Sequence, residues 1–175
     1  MNPFLYLIGT DHVYQFGAGA KFGRTVCKPS QEEAFRILLM DACENYGVAA
    51  IAEELNEQAL LEVGKEVSVP RAVASSLRLP HRYCEPNRDE RLQLGISDEN
   101  TVTAFGQLSG KTNTEIEHLI LVEWQKREQL WLEHVRELGA WPVLFICGSS
   151  HVPSFTELLR SETVACHVVA SDWVA

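Results

Sequence analysis

Two short apolar runs that end in the same kind of turn constrain this chain most. Phe4-Leu5-Tyr6-Leu7-Ile8 leads into Gly9-Thr10-Asp11-His12, and Pro142-Val143-Leu144-Phe145-Ile146-Cys147 leads into Gly148-Ser149-Ser150-His151. A continuous apolar run without alternation is the pattern of a strand covered on both faces, which implies a parallel sheet between helical layers. Val48-Ala49-Ala50-Ile51-Ala52 is a third such run and ends at Glu53-Glu54. The pattern predicts a final strand over Val164 to Val169, and a short strand or extended segment between Leu79 and Asn87.

Helical patterns fill the intervals. Ser30 with Glu33 reads as a capping box opening a helix that runs to about Tyr46 and stops at Gly47. Residues 54 to 78 read as helical, interrupted near Gly64 and Pro70, and Arg88-Asp89-Glu90-Arg91 as a further helical turn. A long helix is expected from about Thr112 to Leu138, and a short one from Pro153 to Arg160. Residues 14 to 29, with Gly17, Gly19, Gly23 and Pro29, and residues 96 to 111 read as loops. Strands alternating with helices predict an α/β fold, a three-layer sandwich with a mainly parallel central sheet. At 175 residues and 46% hydrophobic, the chain suits a single domain.

In such sheets a ligand site lies beyond the carboxyl ends of the strands. His12, Glu53 with Glu54, and His151 are the polar residues expected at that edge, where a glycine ahead of each histidine lets the backbone bend and approach a ligand. The alternative is that the histidines bond turn backbone and that one glutamate only favours a helix N-terminus. Projected on the long helix, Arg127 falls within an apolar stripe of Ile116, Ile120, Trp124, Trp131, Val135 and Leu138. A guanidinium facing a core needs a carboxylate or an anionic ligand. It either serves the site or stacks on Trp124 or Trp131 and pairs with Glu123. The segment 81 to 91 is dense in reactive side chains and offers Tyr83, Glu85 and Arg91 as substrate-binding candidates, although Asn87 or Asp89 could simply cap a charged helix. Cys147, between apolar neighbours, reads as a core thiol.

The charge, −9, and the crowding of acids between residues 31 and 66 against only Arg36 and Lys65 argue against nucleic acid or an anionic membrane as a partner, and favour a small molecule, a peptide or a metal ion. Five cysteines without a C-x-x-C pair suggest free thiols in a reducing compartment. Met1-Asn2-Pro3 lacks a basic n-region, and no apolar run nears the ~18 residues of a membrane span, so a cytoplasmic protein is expected.

Gly-Thr-Asp-His after the first strand, Ala-Ile-Ala-Glu-Glu at the second, Arg127-Glu128 in a long helix and Phe-Ile-Cys-Gly-Ser-Ser-His-Val resemble, in order, the TraB, Tiki and erythromycin esterase superfamily, which includes haem-binding ChaN-like members. The resemblance spans residue 4 to about 160. It implies an erythromycin esterase/ChaN-like fold with a site built from His12, Glu53, Glu54, Arg127 and His151. The activities it implies diverge among metal-dependent peptide cleavage, metal-free lactone opening and haem binding.

The expectation is therefore a small hydrolase acting on an ester, lactone or peptide-like bond. In a metal version His12, Glu53 and His151 would hold manganese, cobalt or zinc, and Glu54 would be the base. In a metal-free version His12 or Glu54 takes the proton from water, and Arg127 meets the developing negative charge. The alternative is a haem or small-ligand binding module, with Tyr14, Tyr83 and the histidines as possible axial ligands.

Overall fold

The computed structural model describes residues 3–22 and 25–175; Met1, Asn2 and the expected loop glycine Gly23 lie outside them. In chain order the elements are β1 (Phe4–Thr10), α1 (His12–Phe16), β2 (Lys21–Phe22), β3 (Thr25–Val26), α2 (Pro29–Tyr46), β4 (Ala50–Glu53), α3 (Glu57–Glu62), α4 (Val69–Leu77), β5 (His81–Tyr83), α5 (Arg88–Leu94), α6 (Glu99–Leu108), α7 (Asn113–Glu137), β6 (Val143–Gly148), a 3₁₀ turn (Ser149–His151), α8 (Val152–Ser161) and β7 (Ala165–Trp173).

Five strands form one sheet in the order β5-β4-β6-β1-β7, and every pairing is parallel. Side chains alternate between its faces. Leu5, Leu7, Ala52 and Phe145 pack with Trp131 of α7 and Phe155 of α8 on one face. Ile8, Ile51, Leu144 and Ile146 pack with Phe35 of α2 and Val73 of α4 on the other. Each such fully buried large side chain contributes about 1.5–3 kcal/mol relative to exposure, which is why unbroken apolar runs became the central strands. The result is an α/β architecture with a parallel sheet flanked by helices.

Strand order brings the polar strand ends together. Because β6 lies between β1 and β4, the residues just past all three strands meet at one edge. Thr10 pairs with Gly148 and Glu53 with Ile146, so the two Gly-x-x-His turns and the Glu53-Glu54 pair end at the same level.

Several local expectations are corrected. Helix α2 begins two residues earlier than the Ser30 box places it: Lys28 is the N-cap, Pro29 the first helical residue, and the Lys28 N–H donates to Gln31 Oε1 at 3.0 Å. Proline has no N–H to lose at that position, so it starts the helix. The expected loop at 14–29 contains the end of α1 and the antiparallel pair β2–β3. The expected loop at 96–111 contains α6, capped by Asp98 Oδ1 on the Thr101 N–H at 2.9 Å. Two threonines and Gly106 give that segment low helix propensity, but α6 packs on α7, where a Cβ on Gly106 would stand 2.6 Å from Ile116 Cγ1. Tertiary packing overrides propensity there.

All five cysteines are free, and burial pushes the Cys147 thiol well above its ordinary range, as befits a core residue. Among the described residues no helix is long and apolar enough to cross a membrane.

Candidate active site

Glu54 is the centre of the cluster. It follows β4, is 3% exposed, and accepts from the Gly148 N–H at 2.8 Å and from Arg127 Nη2. His12 Nε2 stands 3.7 Å and His151 Nε2 3.6 Å from the same oxygen, Glu54 Oε1. Both imidazoles therefore aim the same ring atom at one carboxylate. Those gaps exceed a direct hydrogen bond, yet one water can touch both partners across them.

Each histidine is held from behind. His12 opens α1 after Asp11, whose side chain accepts from the Val13 N–H at 2.9 Å, and His12 Nδ1 lies 2.7 Å from Gln15 Oε1. His151 Nδ1 lies 2.8 Å from Glu128 Oε1, which also accepts from Ser154 Oγ at 2.6 Å. Trp131 meets the His151 ring edge-on at 5.0 Å, and Trp124 lies against it at 4.4 Å. Two rings held at Nδ1, that of His151 also packed by Trp124 and Trp131, are pre-set in orientation.

The glycines matter for space rather than for bending, since neither Gly9 nor Gly148 has a positive φ. A Cβ on Gly9 would collide with the Ser171 carbonyl and stand 2.5 Å from Val152 Cγ2. One on Gly148 would lie 3.1 Å from His12 Nε2 and 3.4 Å from Glu54 Oε2. The second glycine thus lets His12 and Glu54 close over the end of β6.

Arg127 is bound to the site and not to Glu123. Its Nε lies 3.1 Å from Glu85 Oε1, its Nη2 contacts Glu85 and Glu54, and its Nη1 is 3.5 Å from His151 Nε2. The guanidinium also lies over Trp131 at 5.2 Å, one of the two stacking partners expected for it. Glu123 instead accepts from the Ser97 N–H and from Lys126. Burial disfavours the Arg127 charge, but Glu54 and Glu85 outweigh it, so Arg127 stays a cation.

The remaining candidates are divided. Glu85 is buried beneath Arg127, accepting also from Trp131 Nε1 at 2.8 Å and from Arg91, so it supports the cluster. Arg91 borders an open groove of about 590 Å³ with Asn56, Arg88 and Ser97. Tyr83 lines a second open groove together with Glu85, its hydroxyl 3.4 Å from Ser68 Oγ and its ring under Arg71. Tyr14 is buried against Phe35 and Trp173.

Glu53 is the clearest departure from the expected ligand set. Strand alternation turns it to the face opposite Glu54, where it is fully buried and accepts from Ser68 Oγ, His81 Nε2 at 2.9 Å and Gln15 Nε2 at 2.9 Å. His12, Glu53 and His151 therefore do not converge. Among the described residues no group of three His, Cys, Asp or Glu side chains is arranged to hold a metal ion. Glu54 is itself occupied by a guanidinium, the cation that a metal would have to displace.

Sequence reasoning did not single out Gln15, Ser68, His81 or Glu128 for roles at the site. Gln15 had a signal, being three residues after His12 and so on the same helical face. Glu128 had one too, as a carboxylate three and four residues before the buried Trp131 and Leu132. Ser68 and His81 reach Glu53 from separate elements, and no spacing announces them.

The charge of Glu54 makes a pH prediction. Burial alone would raise its pKa, but His12, Arg127, His151 and the Gly148 N–H outweigh burial and hold it below the ordinary 4.5. A carboxyl whose folded pKa is depressed stabilises fully above its unfolded value, and that contribution is lost as pH falls through the folded one. Denaturant unfolding measured from about pH 7 to pH 3 should therefore show stability falling below about 4.5, and Glu54→Gln should flatten that fall. An unchanged acid slope in Glu54→Gln would contradict the assignment.

No protein-family model, curated protein or solved structure matches this chain.

Proposed function

We propose that the sheet is of the erythromycin esterase/ChaN-like kind and that the chain is a small hydrolase that opens an ester, lactone or peptide-like bond without a metal. The observation that carries this reading is the convergence of two Nδ1-anchored imidazoles and a buried guanidinium on one carboxylate. A water between His12 Nε2 and Glu54 Oε1 attacks the carbonyl carbon while His12 takes its proton, and Glu54 steadies the imidazolium that forms. His12 is the accessible member, with its side chain 24% exposed against 4% for His151. Arg127 Nη1 is the edge of the guanidinium that the carboxylates leave to the site, and it meets the negative charge developing on the carbonyl oxygen. His12 then returns the proton to the leaving oxygen or nitrogen as the bond to carbon breaks.

The metal-free form is favoured by the donor set, because Glu53 is committed to three other side chains and Glu54 to Arg127. Screening esters, lactones and short peptides with untagged protein in the presence of a chelator tests it. Turnover that survives chelation is the expected result. Turnover lost on chelation and restored by manganese, cobalt or zinc overturns the metal-free assignment, and a Soret band on haem addition without any turnover replaces the enzyme with a binding module.

A further inference from the structure

Glu53 remains without a catalytic role although it is fully buried on the face away from Glu54. Three donors converge on it. Ser68 Oγ reaches Oε1, and its hydroxyl proton is directed there because Ser68 Oγ already accepts from the Arg71 N–H at 3.1 Å. His81 Nε2 lies 2.9 Å from the same oxygen. Gln15 Nε2 donates to Oε2 at 2.9 Å.

The bond from Gln15 to Glu53 settles the direction of the one between Gln15 and His12. Gln15 is fully buried, and its amide has one donor end and one acceptor end. With the NH₂ turned to the Glu53 carboxylate, the carbonyl Oε1 is the end that faces His12 Nδ1 at 2.7 Å. A carbonyl oxygen only accepts, so the neutral His12 ring must carry its proton on Nδ1. Nε2 is then the ring atom with the lone pair, directed toward Glu54. Reversing the amide would set a carbonyl against the Glu53 carboxylate, an unfavourable contact in a buried place.

We propose that Gln15 is a positioning residue that transmits the acceptor character of Glu53 to His12, locking the ring as the Nδ1–H tautomer so that Nε2 serves as the base. Ser68 and His81 complete the device by holding the Glu53 carboxylate in place. The imidazole of His151 is set by a carboxylate directly, through Glu128, whereas that of His12 is set by a carboxylate acting through an amide. The consequence for the reaction rests on the hydrolase reading, but the tautomer itself does not.

Long-range ¹H–¹⁵N correlation of the histidine rings, at a pH where His12 is neutral, reads the tautomer without any substrate; His12→Ala assigns the signals. The wild-type protein should show His12 with Nδ1 protonated and Nε2 in the acceptor range of ¹⁵N shift. In Gln15→Met the ratio of the two tautomers should move toward Nε2–H by about tenfold, the change carried by one hydrogen bond of typical net strength. Wild-type His12 protonated on Nε2 overturns the proposal, whether or not Gln15→Met folds, and so does a Gln15→Met protein with an unaltered ratio. If the tautomer is as stated but His12→Ala retains full turnover, His12 is not the base of the reaction, while the Glu53–Gln15–His12 coupling stands.

Discussion

Replacing Arg127 by methionine is expected to lower stability by about 3–5 kcal/mol, the cost of removing one partner from a buried ionic cluster. Two carboxylates, Glu54 and Glu85, are 3% and 7% exposed and share this one guanidinium, so the substitution leaves negative charge buried against negative charge. Methionine roughly fills the space, which keeps packing loss small and makes the effect electrostatic. For a chain of this size the melting temperature should drop by roughly 6–20 °C. Adding Glu54→Leu to Arg127→Met should recover part of the loss, because Glu85 keeps Arg91 and the Trp131 N–H. Adding Glu123→Leu should recover none of it, since Glu123 answers Ser97 and Lys126 instead. Thermal and denaturant melts of these three variants decide the matter, and Arg127→Met within about 0.5 kcal/mol of wild type would show the cluster to be energetically idle.

His12→Ala is expected to reduce turnover by about 10²–10⁴-fold on any ester, lactone or peptide that the wild-type protein hydrolyses, the range for loss of a positioned general base. Its stability should change little by comparison, because the ring is partly exposed and stands at the first residue of a five-residue helix. Glu54→Gln should reduce turnover by a similar factor and also lower stability, since a neutral amide no longer balances Arg127. The two losses should not add in the double variant, because base and orienting carboxylate act as one unit. The check is steady-state kinetics beside a melt for each variant, and a His12→Ala protein with wild-type turnover would remove His12 from the chemistry.

Much of the scaffold was legible because its signals are local. The runs at Phe4–Ile8, Val48–Ala52 and Val143–Cys147 are short, apolar and unbroken, and chains with those properties extend and bury both faces. The helix from Asn113 to Glu137 announces itself by its period and by Thr112 with Glu115 at its start. The pairing of Gly-x-x-His turns with strand ends needed only the position of each glycine after its run. Helix α6 was illegible for the opposite reason, as its stability comes from Ile116 and α7 rather than from its own residues.

The sequence alone thus determined which residues arrive at the carboxyl edge of a parallel sheet, since that depends only on where each run stops. Which of them meet was decided by the tertiary structure. Glu53 and Glu54 are neighbours in the chain, but a pleated strand sends them to opposite faces, so one joins the two histidines and the other reaches His12 only through Gln15. Arg127 could pair with a carboxylate one helical turn away, yet it binds Glu85 and Glu54, 42 and 73 residues distant. Contacts at such separations follow from strand order, here β6 seated between β1 and β4, and strand order follows from how the two helical layers cover the sheet. No local period of the sequence records that choice, because it is made by the packing of all the layers at once.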